Sequence, residues 1–102
     1  MSSAVKLEDA EIERRLKTEI PGWQYRQGRL HREYRFADFV HACKVMAAAA
    51  KAAEQIGHHP DWRNLYSWVN VDLSTHLVCG VSDLDFQLAA ARNAAAAEQG
   101  GE

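Results

Sequence analysis

Three histidines, His58, His59 and His76, are the residues of this chain best suited to acid–base chemistry. An imidazole titrates near neutral pH, so histidines grouped together can give protons to a substrate and take protons from it. Pro60 fixes its own φ angle and favours an extended backbone at His59. We therefore expect the adjacent pair on a stiff loop.

Two carboxylates accompany these imidazoles along the chain. Glu54 precedes His58 by one helical turn, and Asp85 follows His76 by nine positions. Either carboxylate can hydrogen-bond a ring nitrogen and so fix the tautomer of a histidine. Flat apolar walls for a planar ligand are expected from three nearby aromatic residues, Trp62, Tyr66 and Trp68.

The same three histidines leave a zinc site open as an alternative, because catalytic zinc commonly takes three protein ligands. The sequence supports zinc weakly, since it has no His-x-x-x-His pair and no ligand spacing between Cys43 and Cys79. Both cysteines are expected to be buried thiols. His31 and His41 are interpreted as surface residues on a strand and a helix.

Composition indicates an ordinary globular domain. The chain has 102 residues, of which 47% are apolar and 25% charged, enough for one modest core. A net charge of -2 offers no attraction to nucleic acid or to an anionic membrane. The N-terminus lacks the apolar region of a signal peptide, and no apolar run approaches the roughly 20 residues that span a bilayer. We expect a cytoplasmic protein with neither a nucleic-acid nor a membrane partner.

Hydrophobic periodicity predicts the element order α-β-β-α-β-β-α. The expected elements are a helix over 7–20, a hairpin with strands over 23–27 and 30–36, a helix over 37–56, an alternating run over 65–75 that forms a second hairpin if it turns within 66–69, and a helix over 84–97. This order predicts an α+β fold, a four-stranded antiparallel sheet with three helices on one face. We expect one domain over 7–97, with a flexible arm at 1–6 and a flexible tail at 98–102.

Local signals refine this outline. Gly57 is a natural residue to end the second helix, and Ser82 with Asp85 resembles a capping box that opens the third. Alternation in the last strand separates an apolar face from a polar one. The polar face carries Asn70, Asp72, Ser74 and, at the end of the strand, His76.

The segment from Glu54 to Asp85 resembles the signature of the pterin-4a-carbinolamine dehydratases. The matching residues are Glu54-Gln55-Ile56-Gly57-His58-His59-Pro60, then Tyr66, His76 and Asp85 at the spacings of the family. The resemblance continues upstream through Pro21-Gly22-Trp23 and Arg35-Phe36-Ala37-Asp38-Phe39, and so covers nearly the whole domain. It implies the fold predicted above, assembled as a homodimer or homotetramer.

The resemblance also implies a lyase that uses pterin as substrate and needs no metal or other cofactor. Aromatic amino-acid hydroxylases release a tetrahydropterin with a hydroxyl at C4a, and the family removes that hydroxyl as water to give a quinonoid dihydropterin. By resemblance, His58 and His76 transfer protons, His59 mainly holds the pterin, and Glu54 and Asp85 orient the histidines. Further substrate contacts are implied for Trp23 and for the backbone of Ser74 and Thr75.

A binding role is the rival hypothesis. Vertebrate members of the family also stabilise the dimer of a homeodomain transcription factor, and histidine-poor relatives act as assembly chaperones for a carbon-fixing enzyme. The presence of all three histidines favours the enzyme, 4a-hydroxytetrahydrobiopterin dehydratase. The sequence leaves open the side chain of the pterin and the choice between dimer and tetramer.

Overall fold

A computed structural model describes residues 5–101 of the chain and confirms the predicted α+β order. The elements are α1 (Asp9–Glu19), β1 (Gln24–Arg26), β2 (Arg29–Arg35), α2 (Phe39–Ile56), β3 (Asp61–Leu65), β4 (Trp68–Leu73), a 3₁₀ turn (His76–Val78) and α3 (Asp83–Glu98). Residues 1–4 of the predicted arm and residue 102 of the predicted tail lie outside the described residues, and both segments stay predictions.

The four strands form one antiparallel sheet in the order β1-β2-β4-β3. Leu30 of β2 pairs with Leu73 of β4, and Trp62 of β3 pairs with Val71 of β4. These cross-strand pairs share the face that the helices cover. The buried core on that face includes Ile12, Leu16, Leu30, Tyr34, Val45, Val69, Val71, Leu73, Phe86 and Leu88.

The second hairpin forms without the Asn-Gly turn that usually marks one. Its turn is Tyr66-Ser67, and Tyr66 has a positive φ of 54°. The side-chain amide of Asn64 donates to the carbonyls of Tyr66 at 3.0 Å and Trp68 at 2.9 Å. These two bonds satisfy the carbonyls of Tyr66 and Trp68 and so stabilise a turn that contains no glycine. The first strand of the hairpin begins at Asp61, earlier than the sequence pattern indicates.

Helix α2 is capped at both ends, and its C-terminal residue Gly57 is the one that the sequence predicted. Asp38 accepts a hydrogen bond from the backbone N–H of His41 at 2.9 Å and so caps the N-terminus. Gly57 adopts the left-handed conformation with φ of 74° and donates its N–H to the carbonyl of Ala53 at 2.9 Å. Because Gly57 reverses the backbone there, the chain leaves the helix directly into the histidine pair.

Three side chains lie closer to solvent than the sequence indicated. Cys43 and Cys79, expected to be buried thiols, are both exposed. Cys43 follows Ala42, which holds the buried position of that helical turn, and Cys79 lies in a left-handed turn with φ of 53°. Phe39, a large apolar residue of a kind usually buried, is 47% exposed because it stands at the first residue of α2.

The core also contains a charge. Arg92 occupies a buried position of α3 and is 1% exposed. Its guanidinium lies 4.0 Å above the ring of Trp62, and none of its nitrogens has a hydrogen-bond partner among residues 5–101. Burial lowers the pKa of Arg92 to about 10, and the nearby Tyr34 opposes that shift. An unpaired charge in a core is costly, so Arg92 should weaken this fold.

Within residues 5–101, no helix combines the length and the apolar character needed to cross a membrane.

Candidate active site

The loop that carries the histidine pair is short and held at both ends. It runs from Gly57 to Pro60, between the end of α2 and the start of β3. The N–H of His58 donates to the carbonyl of Ala53 at 3.1 Å, which extends the hydrogen bonding of the helix end by one residue. A loop of four residues with a proline and a bonded first turn has little conformational freedom.

His58 is bound to a buried carboxylate. Its Nε2 lies 2.5 Å from Oδ1 of Asp85, and the side chains of the two residues are 12% and 0% exposed. The other oxygen of Asp85, Oδ2, accepts from the hydroxyl of Thr75 at 2.8 Å and from the N–H of Ser82 at 2.9 Å. With Asp85 ionised, Nε2 of His58 carries the hydrogen, which leaves Nδ1 as the nitrogen able to exchange a proton.

The first turn of α3 explains how a carboxylate comes to be buried there. Ser82 is the N-cap residue, and the bond from its N–H to Asp85 is the acidic half of the predicted capping box. The hydroxyls of Thr75 and Ser82 are 2.7 Å apart and close the network. The same sequence signal therefore fixes both the start of a helix and the position of the group that orients His58.

His76 does not end the strand as predicted. The pairing of β4 stops at Leu73, and His76 begins the 3₁₀ turn. The N–H of Thr75 donates to the carbonyl of Gly80 at 2.7 Å, and the N–H of Val78 donates to the carbonyl of Thr75 at 3.1 Å. The pairing of β4 with β2 ends at Leu73, and these local bonds satisfy backbone groups of the following segment in place of a longer strand.

A cavity of about 210 Å³ opens at this end of the sheet. It brings together three of the predicted site residues, His59, Ser74 and His76, from the histidine loop and the chain just after β4. Pro60, Arg29, Asp61 and Asp72 complete the lining. Two imidazoles from separate elements thus face one space that a small ligand can enter.

The remaining predicted residues near the histidines do not line this cavity. His58 faces Asp85, and Thr75 is buried with its hydroxyl on the same carboxylate. Oε2 of Glu54 is 3.7 Å from Nε2 of His59, beyond hydrogen-bond distance, and both side chains are largely exposed. Asp85 therefore has a tight imidazole partner, and Glu54 has only a loose one.

Trp23 lies in the core and is 5% exposed. Its Nε1 donates to Oδ1 of Asn93 at 3.0 Å, and the same oxygen accepts from Arg32 at 2.8 Å and from the hydroxyl of Tyr34. Trp23 does not line the cavity of His59 and His76. Nor do the three aromatic residues expected as flat walls, Trp62, Tyr66 and Trp68.

Three lining residues were missed by the sequence reasoning. Asp72 stands two positions before Ser74 on the polar face of β4, so the alternation already carried the signal for it. Asp61 follows Pro60 directly. Arg29 is contributed by β2, which neighbours β4 only in the folded sheet, so no local sequence pattern predicts that Arg29 lines the cavity. The Arg29 guanidinium lies 3.3 Å from Asp61, and Nδ1 of His31 lies 2.9 Å from Asp72.

Among the described residues, no group of three or more His, Cys, Asp or Glu side chains is arranged to hold a metal ion. The zinc alternative therefore gains no support from the arrangement of the three histidines. Imidazoles that face one cavity, beside a third imidazole oriented by a carboxylate, are suited to moving protons on and off a bound molecule.

This fold and this group of histidines define a small α+β protein with a candidate acid–base site, and comparison with known proteins gives its family. The sequence model described as Pterin 4 alpha carbinolamine dehydratase matches residues 5–95. The chain belongs to that family.

Individual relatives support this family assignment. A protein of Solibacter usitatus, named as a candidate pterin-4-alpha-carbinolamine dehydratase, is 48% identical over 92 residues, which is 90% of this chain and 96% of that protein. One of Chelativorans with the same name is 43% identical over 95 residues, 91% and 96% of the two chains. A crystal structure of a transcriptional coactivator/pterin dehydratase from Brucella melitensis superposes with a TM-score of 0.87 at 38% identity, covering 90% of this chain and 99% of that one.

Proposed function

We propose that this protein is a 4a-hydroxytetrahydrobiopterin dehydratase, a hydro-lyase that regenerates the pterin used by aromatic amino-acid hydroxylases. Its substrate is the carbinolamine with a hydroxyl at C4a, and its products are a quinonoid dihydropterin and water. Membership of the family and the similarity to named relatives support this assignment. The reaction needs no metal and no redox cofactor, because it only breaks one C–O bond and moves protons.

The chemistry sets the demands on the site. The C4a–O bond breaks as the hydroxyl accepts a proton and leaves as water, while N5 loses its proton and the ring gains a double bond. Donating the first proton and accepting the second are general acid–base steps, each worth about 10²–10⁴-fold in rate. We assign proton transfer to His76, which lines the cavity, and to His58, which would exchange its proton through Nδ1, the ring nitrogen not bonded to Asp85; the holding of the pterin falls to His59.

One observation carries the proposal: His59 and His76, from separate elements, line one cavity, and His58, adjacent to His59, is oriented by the buried Asp85. In this account Asp85 stabilises the charged imidazole that forms when His58 holds a proton. Ser74 offers polar groups to the edge of the pterin ring from the wall of the same cavity. The loose contact of Glu54 with His59 gives that carboxylate a smaller share in the mechanism.

The proposal is tested by following the dehydration of freshly generated 4a-hydroxytetrahydropterin by ultraviolet absorbance. Wild type should accelerate the reaction over buffer, and His58→Ala and His76→Ala should each lose about 10²-fold or more of that acceleration. His59→Ala should raise KM more than it lowers kcat. His41→Ala is the matched control, because His41 lies on α2, does not line the cavity, and bonds through its ring to Asp38. Equal rates with wild type and buffer would overturn the proposal.

A second candidate is a protein-binding role. The name of the Brucella structure joins a coactivator to a dehydratase, and the start of α2 in this chain exposes Phe39 and Val40. An exposed apolar pair on a helix suits contact with another chain. We propose that these residues serve assembly into a homodimer or homotetramer. Light scattering of wild type and of Phe39→Ser/Val40→Ser tests this, and a wild type that is monomeric at all concentrations would contradict it.

A further inference from the structure

The face of the sheet away from the helices contains a second and larger hollow. This groove has a volume of about 550 Å³ and is lined by Arg26, Arg29, His31, Glu33, Arg63 and Asp72, together with neutral polar residues. It shares Arg29 and Asp72 with the cavity of His59 and His76. A ligand seated in the smaller cavity can therefore extend into the groove without leaving the protein surface.

The groove has a positive balance in a chain that is negative overall. Three arginines line it against two carboxylates, whereas the whole chain has a net charge of -2. Asp72 is engaged by Nδ1 of His31 at 2.9 Å, and Arg29 by Asp61 at 3.3 Å. Within residues 5–101, Arg26 and Arg63 form no ion pair. Two guanidinium groups thus remain available to an external anion.

The strand register explains why these arginines share one surface. Arg26 of β1 pairs with Arg29 of β2, and Arg63 of β3 pairs with Asn70 of β4. Pairing positions project to the same face of an antiparallel sheet, so cations from both edge strands frame the hollow. The planar guanidinium presents paired donors that fit a phosphate or a carboxylate.

Building on the proposed function, we propose that the groove binds an anionic side chain of the pterin substrate, with the bicyclic ring in the cavity of His59 and His76. The preferred substrates are then tetrahydropterins whose side chain ends in a phosphate or carboxylate, alongside the neutral carbinolamine of the proposed function. The smaller cavity, about 210 Å³, is below the roughly 300–1,000 Å³ common for ligand sites, so a whole substrate needs more space than it offers. The adjoining groove supplies that space and the opposite charge.

The test compares two stable oxidised pterins that differ in one group, a trihydroxypropyl pterin and its phosphate monoester, by fluorescence titration. Wild type should bind the phosphate monoester about 3- to 10-fold more tightly, since two partly exposed charge pairs each contribute modestly. The preference should shrink in 0.5 M salt, where charges are screened beyond about 4 Å. Arg26→Gln/Arg63→Gln should abolish it. The control Arg14→Gln/Lys44→Gln removes equal charge from exposed helix positions and should retain it.

The outcomes separate this inference from the proposed function. Equal affinity for both pterins, or a preference that survives in Arg26→Gln/Arg63→Gln, would contradict the proposal that the groove binds an anionic side chain. This would hold even if the neutral carbinolamine is dehydrated normally. A lost preference in that variant, with dehydration of the neutral carbinolamine unchanged, is the result expected. Failure of both pterins to bind would overturn the role of the groove, and the dehydration rate of the neutral carbinolamine would then decide the proposed function separately.

Discussion

Asp85 and His58 are joined by a 2.5 Å contact between Oδ1 and Nε2, although the whole second hairpin lies between them in the sequence. Asp85 is fully buried and belongs to a helix cap, and His58 begins the loop that carries the neighbouring cavity residue His59. The contact ties the start of α3 to the end of α2. The stability of the helix pair and the orientation of one imidazole thus depend on the same carboxylate.

Replacing that carboxylate should affect both catalysis and folding. Asp85→Asn keeps the size of the side chain and can still accept from Ser82, but it removes the negative charge facing His58. We expect kcat for carbinolamine dehydration to fall about 10²-fold with little change in KM, because the loss concerns proton transfer. Unfolding in urea should show a loss of about 1–3 kcal/mol.

Ser82→Ala is the control for this effect. It removes the hydroxyl that contacts Thr75 but leaves the carboxylate and its bond to His58. It should lose about 1 kcal/mol of unfolding free energy and keep its dehydration rate. A wild-type rate in Asp85→Asn would contradict the assigned role of Asp85.

Arg92→Met should stabilise the protein. Methionine fills similar space on α3 and removes a buried guanidinium that has no partner within residues 5–101. The free energy of unfolding at pH 7 should rise by roughly 1–3 kcal/mol. The pKa of Arg92 in the folded chain, about 10, is below its ordinary value, so the unfolded chain binds more protons and the penalty is complete below pH 10.

The matched substitution Arg14→Met removes an exposed charge from α1 and should change stability by less than about 0.5 kcal/mol. Denaturant unfolding of both variants and wild type provides the comparison. A less stable Arg92→Met would show that the cation over Trp62 contributes more than its burial costs.

Gly57→Ala tests the reversal of the chain before the histidine loop. Gly57 has φ of 74°, and no atom lies within 4 Å of the position its Cβ would take. The cost is therefore conformational, about 1–2 kcal/mol of unfolding free energy. We also expect slower dehydration, because relief of the strain moves His58 and His59. Gly100→Ala, with φ of 69° and equally open space beyond α3, should show a conformational cost and an unchanged rate.

Acid should weaken the junction of α1 and α3. Hydrogen bonds from Gln87 and from Arg15 lower the pKa of Asp83 below its ordinary value, so the stability it contributes is present at neutral pH and lost as pH falls through the lowered pKa. Solvent screening keeps this contribution small, because the side chain of Asp83 is 56% exposed. Asp83→Asn should cost about 0.5–1 kcal/mol at pH 7 and nearly nothing near pH 2.

Urea unfolding at the two pH values measures this difference. Glu13→Gln, at an exposed position of α1, should show no comparable change between them. An equal loss for Asp83→Asn at both pH values would mean that the charge of Asp83 plays no part.

The sequence predicted the elements whose signals are local. Gly57 and the pair Ser82 and Asp85 fixed helix ends because capping depends on residues within one turn. The second hairpin was harder, since its turn at Tyr66 relies on side-chain bonds from Asn64 instead of a glycine. The burial of Arg92 was not predicted either, because no local sequence pattern indicates an unpaired cation in a core.

The candidate site was predictable in composition and less so in geometry. The loop with His58 and His59 follows from the helix end, and Asp72 follows from alternation along β4. Arg29 required the register between strands that are distant in sequence, which only the folded sheet supplies. His76 was wrongly expected on an extended strand end, because a 3₁₀ turn depends on where strand pairing stops.

The most direct test of the central claim measures dehydration of freshly generated 4a-hydroxytetrahydropterin with wild type and His76→Ala side by side at equal concentration. Wild type should clearly accelerate the reaction and His76→Ala should lose nearly all of that acceleration, with both proteins equally folded by circular dichroism. Acceleration that persists undiminished in a folded His76→Ala would contradict the claim that this histidine transfers protons in the cavity.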